Sequence, residues 1–202
     1  MSLALQGPAC KDTTGPTPVP TSKPAVAFPY GTPQATAFEN LALIRNLEDK
    51  ASDKEMVLIG IGTYEAQTSG RVAPNRDPWA YTFAEATGDN PNYDQWYVWP
   101  DGRVQYHGNF TPLGSVTYRE LQPDLQLDSD RAAPLALEYG GQVFVDRYPG
   151  STLEMSCSWR GGRPVWHVTI RNLQLAGPVC ADEIYVDAGT GVLLSHVPSL
   201  CL

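Results

Sequence analysis

The sequence predicts an α+β fold made of two tandem repeats, each with one helix packed on a four-stranded antiparallel meander sheet. In support of this, a helical spacing of apolar residues is followed by four short segments rich in β-branched and aromatic residues, and this order occurs twice. The stretch from Pro78 to Tyr106 also has the same pattern of strand-forming and turn residues as the stretch from Pro164 to Ser195. With 42% hydrophobic residues, five Trp and ten Tyr, the 202-residue chain can build a substantial core.

Residues 1–35 form a predicted Pro-rich N-terminal tether. Six prolines between residues 11 and 35 favour an extended chain, because proline supplies no backbone N–H to a helix. Cys10, ahead of this segment, resembles the start of a bacterial lipoprotein whose signal peptide has been removed, which would place a lipid anchor upstream. A disulfide of Cys10 is the alternative, and the sequence leaves both open.

The first predicted repeat covers residues 36–108. Thr36 and Glu39 have the spacing of a capping box ahead of a helical pattern of apolar residues, so we expect a helix over residues 37–52. An Asp-Gly pair at residues 101–102 predicts a hairpin turn between the last two strands. The four expected strands run over Met56 to Glu65, Pro78 to Glu85, Tyr93 to Trp99 and Arg103 to Tyr106.

A connector, residues 109–128, leads into the second predicted repeat, residues 129–202. Asp128 or Ser129 is expected to cap its helix, and the Gly140-Gly141 pair is expected to end it. The four strands expected after this helix run over Thr152 to Trp159, Val165 to Leu173, Glu183 to Asp187 and Val192 to His196.

Side-chain alternation along the strands predicts which residues each helix covers, because successive side chains of a strand point to opposite faces. The helix-covered faces are expected to carry Trp79, Tyr81, Phe83, Tyr97 and Trp99 in the first repeat, and Trp166, Val168, Ile170, Ile184 and Val186 in the second.

The second repeat carries a short strand–turn–strand pattern near its end. The pattern consists of Trp166, Val168 and Ile170, followed by Ile184-Tyr185-Val186-Asp187-Ala188, Thr190, Gly191 and Leu193. It resembles the end of a PepSY-type domain, and the first repeat resembles a more diverged copy. The resemblance implies a cystatin-like extracytoplasmic module of the kind found in peptidase propeptides and cell-envelope proteins, with an inhibitory or binding role. It brings no catalytic residues to this chain.

The four cysteines indicate disulfides in an oxidising compartment, because their number is even and none stands in a Cys-x-x-Cys pair. In the predicted meander, Cys180 and Cys201 lie near the same end of the sheet and form the first expected bridge. Cys157 lies level with Trp166, too far along the sheet from Cys180, so a bridge between Cys10 and Cys157 follows by elimination. Four unpaired buried thiols in a cytosolic protein are the alternative.

Charge and residue spacing argue against several functional classes. The chain has 14 Lys and Arg against 22 Asp and Glu, a formal net charge of −8, which disfavours nucleic acid and anionic membranes as partners. No apolar run reaches the roughly 18 residues of a transmembrane segment. His107, His167 and His196 come from separate elements, so we predict no metal site and no cofactor. No Gly-x-Ser-x-Gly motif occurs, and no catalytic residue is predicted.

The sheet faces turned away from the helices differ between the repeats, and this difference predicts a binding surface. In the second repeat this face is polar, whereas in the first it combines glycines with aromatic residues. An exposed aromatic side chain over a shallow glycine floor suits a peptide, a glycan or a partner protein. The predicted partner-binding residues are Trp96, Val98, Tyr64, Gly60, Gly62 and Thr82. The alternative is that this face is buried against the connector or the other repeat, in which case Trp96 is buried and the hypothesis fails.

Together these observations predict a non-catalytic module that is periplasmic, secreted or anchored to the envelope, and that binds or inhibits a protein or peptide partner there. Two alternatives stay open: a hydrolase-type enzyme with a polar cleft between the repeats, and a structural envelope protein with no dedicated ligand.

Overall fold

The computed structural model describes residues 36–73, 76–89, 91–110, 115–173 and 180–199. The predicted N-terminal tether, including Cys10, lies outside these ranges, as does Cys201. The division of the chain into a tether, two repeats and a connector stays a prediction.

The described residues form ten strands and three α-helices. The strands are β1 (Met56–Ala66), β2 (Trp79–Glu85), β3 (Thr87–Asp89), β4 (Tyr93–Val98), β5 (Val104–Phe110), β6 (Ser115–Thr117), β7 (Thr152–Arg160), β8 (Arg163–Arg171), β9 (Ala181–Asp187) and β10 (Leu193–Val197). The helices are α1 (Leu41–Ala51), α2 (Ser129–Ala136) and α3 (Gln142–Arg147), with a 3₁₀ turn at Gln122–Asp124 and a π-helical turn at Leu137–Gly141. Within this part of the chain, no helix has both the length and the apolar character needed to cross a bilayer.

Eight of the strands form one continuous antiparallel sheet in the order β10-β9-β8-β7-β1-β2-β4-β5, and β3 pairs with β6 separately. The predicted fold class, two repeats that each pack a helix on their own four-stranded sheet, is therefore wrong. β1 and β7 pair directly, with Ile61 opposite Cys157 and Gly62 opposite Ser156. In separate sheets both strands would be edges with unpaired backbone groups, and their pairing satisfies these groups. We refer to β1, β2, β4 and β5 as the first half of the sheet and to β7–β10 as the second half.

Helix α1 begins four residues later than the capping-box pattern predicts. The backbone N–H of Thr36 does donate to the Glu39 carboxylate at 3.2 Å, as in a capping box. However, the N–H groups of the next two residues donate to side chains at the start of α2, from Ala37 to Ser129 Oγ at 3.0 Å and from the following residue to the Asp128 carboxylate at 3.1 Å. This segment is therefore held by α2 and does not form the first turn of α1.

The second helical segment does not end at Gly140-Gly141 as predicted. The chain passes through the π-helical turn and continues as α3. Gly140 has a φ of 140°, a value that L side chains rarely adopt, and a Cβ at Gly141 would come within 2.2 Å of the Ile170 side chain. The two glycines therefore permit a kink and a close approach of helix to sheet. Asp128 caps α2 as predicted, accepting a bond from the Ser129 N–H at 2.6 Å.

One hydrophobic core joins the helices to a single face of the sheet across both halves. Trp79 and Trp166 meet edge to face at its centre, with ring centroids 6.3 Å apart. Except for Tyr97 and Trp99, all the residues predicted for the helix-covered faces are buried. The prediction for those two is wrong, because β4 places Trp96 opposite Tyr81 on the core face and Tyr97 opposite Ala80 on the other face. The predicted alignment of the two repeats is therefore one residue out of step at β4. A shift of one residue moves every side chain of a strand to the opposite face of the sheet.

Candidate functional site

A groove of about 620 Å³ lies on the sheet face opposite the core, over the first half of the sheet and β7. One row of residues that face each other across the strands runs from Ser156 through Gly62, Ala80 and Tyr97 to Gln105. We call it the open-face groove, and its side of the sheet the open face. The groove lining includes Gly60, Gly62, Ala80 and Thr82 on the floor, Gln95, Tyr97, Trp99, Gln105 and His107 on one wall, Glu154, Ser156 and Ser158 on the other, and Tyr64, Asp77 and Pro78 at one end.

The floor is low because Gly60 has no side chain, and the surrounding backbone does not require a glycine there. Its φ lies outside the left-handed region. A Cβ at Gly60 would meet Cys157 O at 3.8 Å and Thr82 Cβ at 3.9 Å, which are ordinary van der Waals contacts. Glycine inside a strand costs about 0.5–1 kcal/mol relative to alanine, and it often marks a β-bulge or a place where a ligand approaches closely. The register of β1 shifts between Leu58 and Gly60, but the Cβ of an alanine would still fit at Gly60. Gly62 is different, since a Cβ there would lie 3.1 Å from Met155 O.

Aromatic rings from β4 and β5 form one wall of the groove. The ring of Tyr97 lies 5.1 Å from His107 in an edge-to-face contact and 6.0 Å from Trp99. Arg103 lies over the Trp99 ring at 5.0 Å and is also paired with Asp101 at 2.7 Å. These rings present apolar area that is only partly buried, as suits a surface that receives another molecule.

Hydrogen bonds between side chains fix the orientation of this wall. The Tyr97 hydroxyl donates to Gln95 Oε1 at 3.0 Å, and Gln95 Nε2 donates to Thr82 Oγ1 at 3.2 Å. Partial burial raises the pKa of Tyr97, and the nearby Tyr64 phenol adds to the rise. Tyr97 therefore stays a neutral hydrogen-bonding group.

The opposite wall and the end of the groove are polar. Ser156 and Ser158 contribute hydroxyls from β7, and the Glu154 carboxylate forms an ion pair with Arg171. Asp77 is partly buried, and within the described residues its side chain has no hydrogen bond or ion pair. The groove thus sets an aromatic wall against a hydroxyl and carboxylate wall.

Of the six predicted partner-binding residues, the structure brings four together in the groove: Tyr64, Gly60, Gly62 and Thr82. Trp96 and Val98 are buried on the core face, so this part of the site prediction is wrong, and the hypothesis of a recognition surface centred on an exposed Trp96 fails. Trp96 is 5% exposed, and its Nε1 donates to the buried Glu48 carboxylate at 2.5 Å. The aromatic residues that face the groove are Tyr97 and Trp99, one position further along the same strand. Whether the four remaining residues bind a partner stays a prediction.

Sequence reasoning missed Tyr97, Trp99, Gln105 and His107. The run from Trp96 to Trp99 places large aromatic or apolar residues on both faces of the strand. Its composition therefore does not show which of the two faces points to the core. The Asp-Gly pair at residues 101–102 correctly predicts that the strands on either side of it form a hairpin, but it does not indicate which face of that hairpin points to the core.

The open face of the second half carries side chains that satisfy one another. His167 stacks on Tyr185 with ring centroids 4.4 Å apart and an interplanar angle of 4°, and Arg160 lies over the Tyr185 ring at 4.9 Å. The Tyr185 hydroxyl donates to Glu183 at 2.8 Å, and His167 Nε2 lies 3.2 Å from Thr169 Oγ1. This surface is a packed polar layer.

The predicted disulfides have different outcomes. Cys157 is a free, buried thiol whose pKa is raised by burial, so a bridge with Cys10 is not formed in this structure. Cys180 is not among the free thiols. Its expected partner Cys201 lies outside the described residues, and the bridge between Cys180 and Cys201 stays a prediction.

The three histidines lie on separate strands, His107 on β5, His167 on β8 and His196 on β10, and β5 and β10 are the two edges of the sheet. Within the described residues, no group of three or more His, Cys, Asp or Glu could hold a metal ion. His196 Nε2 lies 3.2 Å from the buried Asp182 carboxylate, which also accepts a bond from the Ser199 N–H. That pair holds the end of the described chain against β9.

No family model matches the chain, and no curated protein matches it. The resemblance to PepSY-type domains therefore stays a prediction. Among solved structures, the chain is similar to the crystal structure of a putative lipoprotein from Clostridium difficile 630, with 14% sequence identity and a TM-score of 0.46. The similarity covers 77% of this chain and 89% of that one. No statement about function follows from a similarity of this size.

Proposed function

We propose that this protein is a non-catalytic, extracytoplasmic binding module that takes an extended segment of a protein or peptide partner into the open-face groove. The observation that carries the proposal is Gly60, a strand glycine with ordinary room for a Cβ and no left-handed φ. Although the register of β1 shifts between Leu58 and Gly60, neither the φ of Gly60 nor the atoms around it require a glycine, and the proposal attributes the residue to the open space above it. A binding role also agrees with the inhibitory or binding roles implied by the PepSY-type resemblance.

The shape and chemistry of the groove suit an extended chain. A peptide laid across Gly60, Gly62 and Ala80 would touch the sheet at its lowest point, with the Tyr97 and Trp99 rings on one side. Aromatic residues give large contact area for little loss of conformational entropy, and they are frequent at the energetic centres of interfaces. The Ser156 and Ser158 hydroxyls on the other side can bond to a peptide backbone.

Selection of peptides from a displayed library of random dodecamers tests the proposal. Peptides retained by the wild-type protein would be measured by fluorescence polarisation against Gly60→Val, which fills the groove floor, and against Thr169→Val on the open face of β8 as the matched control. We expect Gly60→Val to weaken binding by at least about tenfold, or roughly 1.4 kcal/mol, and Thr169→Val to leave it unchanged. Equal binding to all three proteins would refute the groove as the binding site.

The extracytoplasmic location is part of the proposal and has a separate test. Cys180 is not among the free thiols, and the sequence predicts Cys201 as its partner. We therefore expect a bridge between Cys180 and Cys201 in protein exported to an oxidising compartment. Alkylation under denaturing conditions, before and after reduction, should protect these two thiols and leave Cys157 reactive. Four reactive thiols before reduction would contradict the expectation.

A further inference from the structure

We propose that the segment bound in the open-face groove carries a lysine or arginine side chain, which is held between Tyr64 and Trp99 and pairs with Asp77. The inference rests on the proposed function and adds the chemical class of the ligand. It starts from the end of the groove that Tyr64, Asp77 and Pro78 form.

The strand register brings the groups for a cation site to one level of the sheet. Gly62 pairs with Ala80, and Ala80 pairs with Tyr97. Two positions further along lie Tyr64 near the end of β1, Pro78 directly before β2 and Trp99 directly after β4. All three line the groove, and Asp77 directly precedes Pro78. Tyr64, near the end of β1, is 66% exposed, so most of its aromatic side chain is open to solvent.

The charges around this end favour a cation. None of the described residues that line the groove is Lys or Arg, whereas two, Asp77 and Glu154, are carboxylates. Glu154 is neutralised by Arg171, and Asp77 has no such partner within the described residues. The nearby cation Arg103 is neutralised by Asp101. The groove therefore has one uncompensated negative charge, within a chain whose formal net charge is −8.

Aromatic rings next to a carboxylate bind ammonium and guanidinium groups in two ways. The ring faces attract the cation within about 6 Å, and the carboxylate adds a charge-assisted hydrogen bond. Arg103 over Trp99 already makes such a contact at 5.0 Å. A neutral or acidic side chain would forfeit both interactions and leave the partly buried Asp77 charge uncompensated.

The experiment uses the peptides selected on the wild-type protein. We expect Lys or Arg to be enriched at one fixed position of the selected sequences. A consensus peptide and its counterpart with norleucine at that position would then be titrated against wild type, Asp77→Asn and the control Asp146→Asn. Asp146 lies on α3, so its substitution changes the net charge equally without touching the groove.

The wild type and Asp146→Asn should bind the basic peptide at least about tenfold more tightly than the norleucine peptide, and Asp77→Asn should bind the two within about twofold. Selected peptides without a fixed basic position, but sensitive to Gly60→Val, would overturn this inference and leave the proposed function standing. A basic preference that survives Asp77→Asn would also overturn it. Peptides that do not distinguish wild type from Gly60→Val would overturn the proposed function itself.

Discussion

The two halves of the open face contrast in how they use polar and aromatic side chains. In the second half, His167, Tyr185, Glu183 and Arg160 contact one another and cover the strands. In the first half, Tyr97 also contacts Trp99 and His107, but these rings stand at the side of the space above Gly60 and do not cover it. Both surfaces lie on the same sheet, so the fold alone does not explain the difference. A surface whose groups already pair with one another has little to gain from a ligand. A surface with unfilled space, and with a carboxylate that no described residue pairs, has more to gain.

The largest effect is expected from a comparison of two tryptophans, Trp96 on β4 and Trp99 directly after β4. Trp96→Ala removes a buried ring in contact with Tyr106 and leaves the Glu48 carboxylate without that donor, so we expect a loss of about 3–5 kcal/mol in the free energy of unfolding. Trp99→Ala should cost about 1 kcal/mol or less, because its ring lies at the groove wall. Urea denaturation measures both.

The same pair separates stability from binding. Trp99→Ala should weaken the selected peptides, and Trp96→Ala should affect them only through the fraction of protein that is folded. If Trp96→Ala left stability unchanged and abolished peptide binding, Trp96 would lie on the open face of β4 and not in the core. The open-face groove would then not exist.

A smaller effect of opposite sign is expected at the groove floor. Gly60→Ala should raise the free energy of unfolding by about 0.5–1 kcal/mol, because the Cβ fits and the unfolded chain loses conformational freedom. Gly62→Ala should give no gain, because its Cβ would be 3.1 Å from Met155 O. Equilibrium denaturation of the two variants in parallel is the measurement. A destabilised Gly60→Ala would mean that this glycine has a structural role, and the main support for the groove as a binding site would be lost.

The smallest effect concerns the pH dependence of the packed polar layer. Burial lowers the pKa of His167 below its usual 6.5, with Glu183 acting in the opposite direction and Arg160 adding to the decrease. The unfolded chain therefore takes up the proton at a higher pH than the folded protein, so stability is lost as the pH falls below about 6.5. His167→Gln should remove this part of the loss.

Unfolding in urea at about pH 8 and about pH 5.5 would compare wild type, His167→Gln and the control His107→Gln, whose side chain is exposed on β5. We expect the wild type and His107→Gln to lose more stability between the two pH values than His167→Gln does. Equal losses in all three proteins would show that His167 is solvated in the folded state.

Local sequence patterns predicted the strands and turns well. The Asp-Gly hairpin forms as expected, with Gly102 at a φ of 85° and the Trp99 N–H bonded to Arg103 O at 2.9 Å. In the turn before β10, Asp187 accepts bonds from the N–H groups of Gly189 and Thr190. Although its partial burial acts in the opposite direction, these bonds lower the pKa of Asp187. Such features depend on residues close in sequence, where the chemistry of a few side chains decides the backbone.

The candidate site was only partly predictable. Gly60, Gly62, Tyr64 and Thr82 were identified because glycines on one face of a strand are visible in the sequence. The aromatic wall was not, because β4 carries large apolar side chains on both faces and its register with β2 cannot be read from composition. A register shift in β1 between Leu58 and Gly60 also turns Leu58 toward the core, where strict alternation would have left it on the open face.

The sequence by itself determined the strands, most of the core-facing residues and the contrast between a polar and a glycine-containing sheet face, because each depends on local periodicity. Only the tertiary structure decided that β1 and β7 join the halves into one sheet, and that Tyr97 and Trp99, not Trp96, border the groove. β1 and β7 are about 90 residues apart in the sequence, and they pair because each is an edge strand whose backbone groups need partners. The spacing of residues within either strand does not show which edge strand it will pair with.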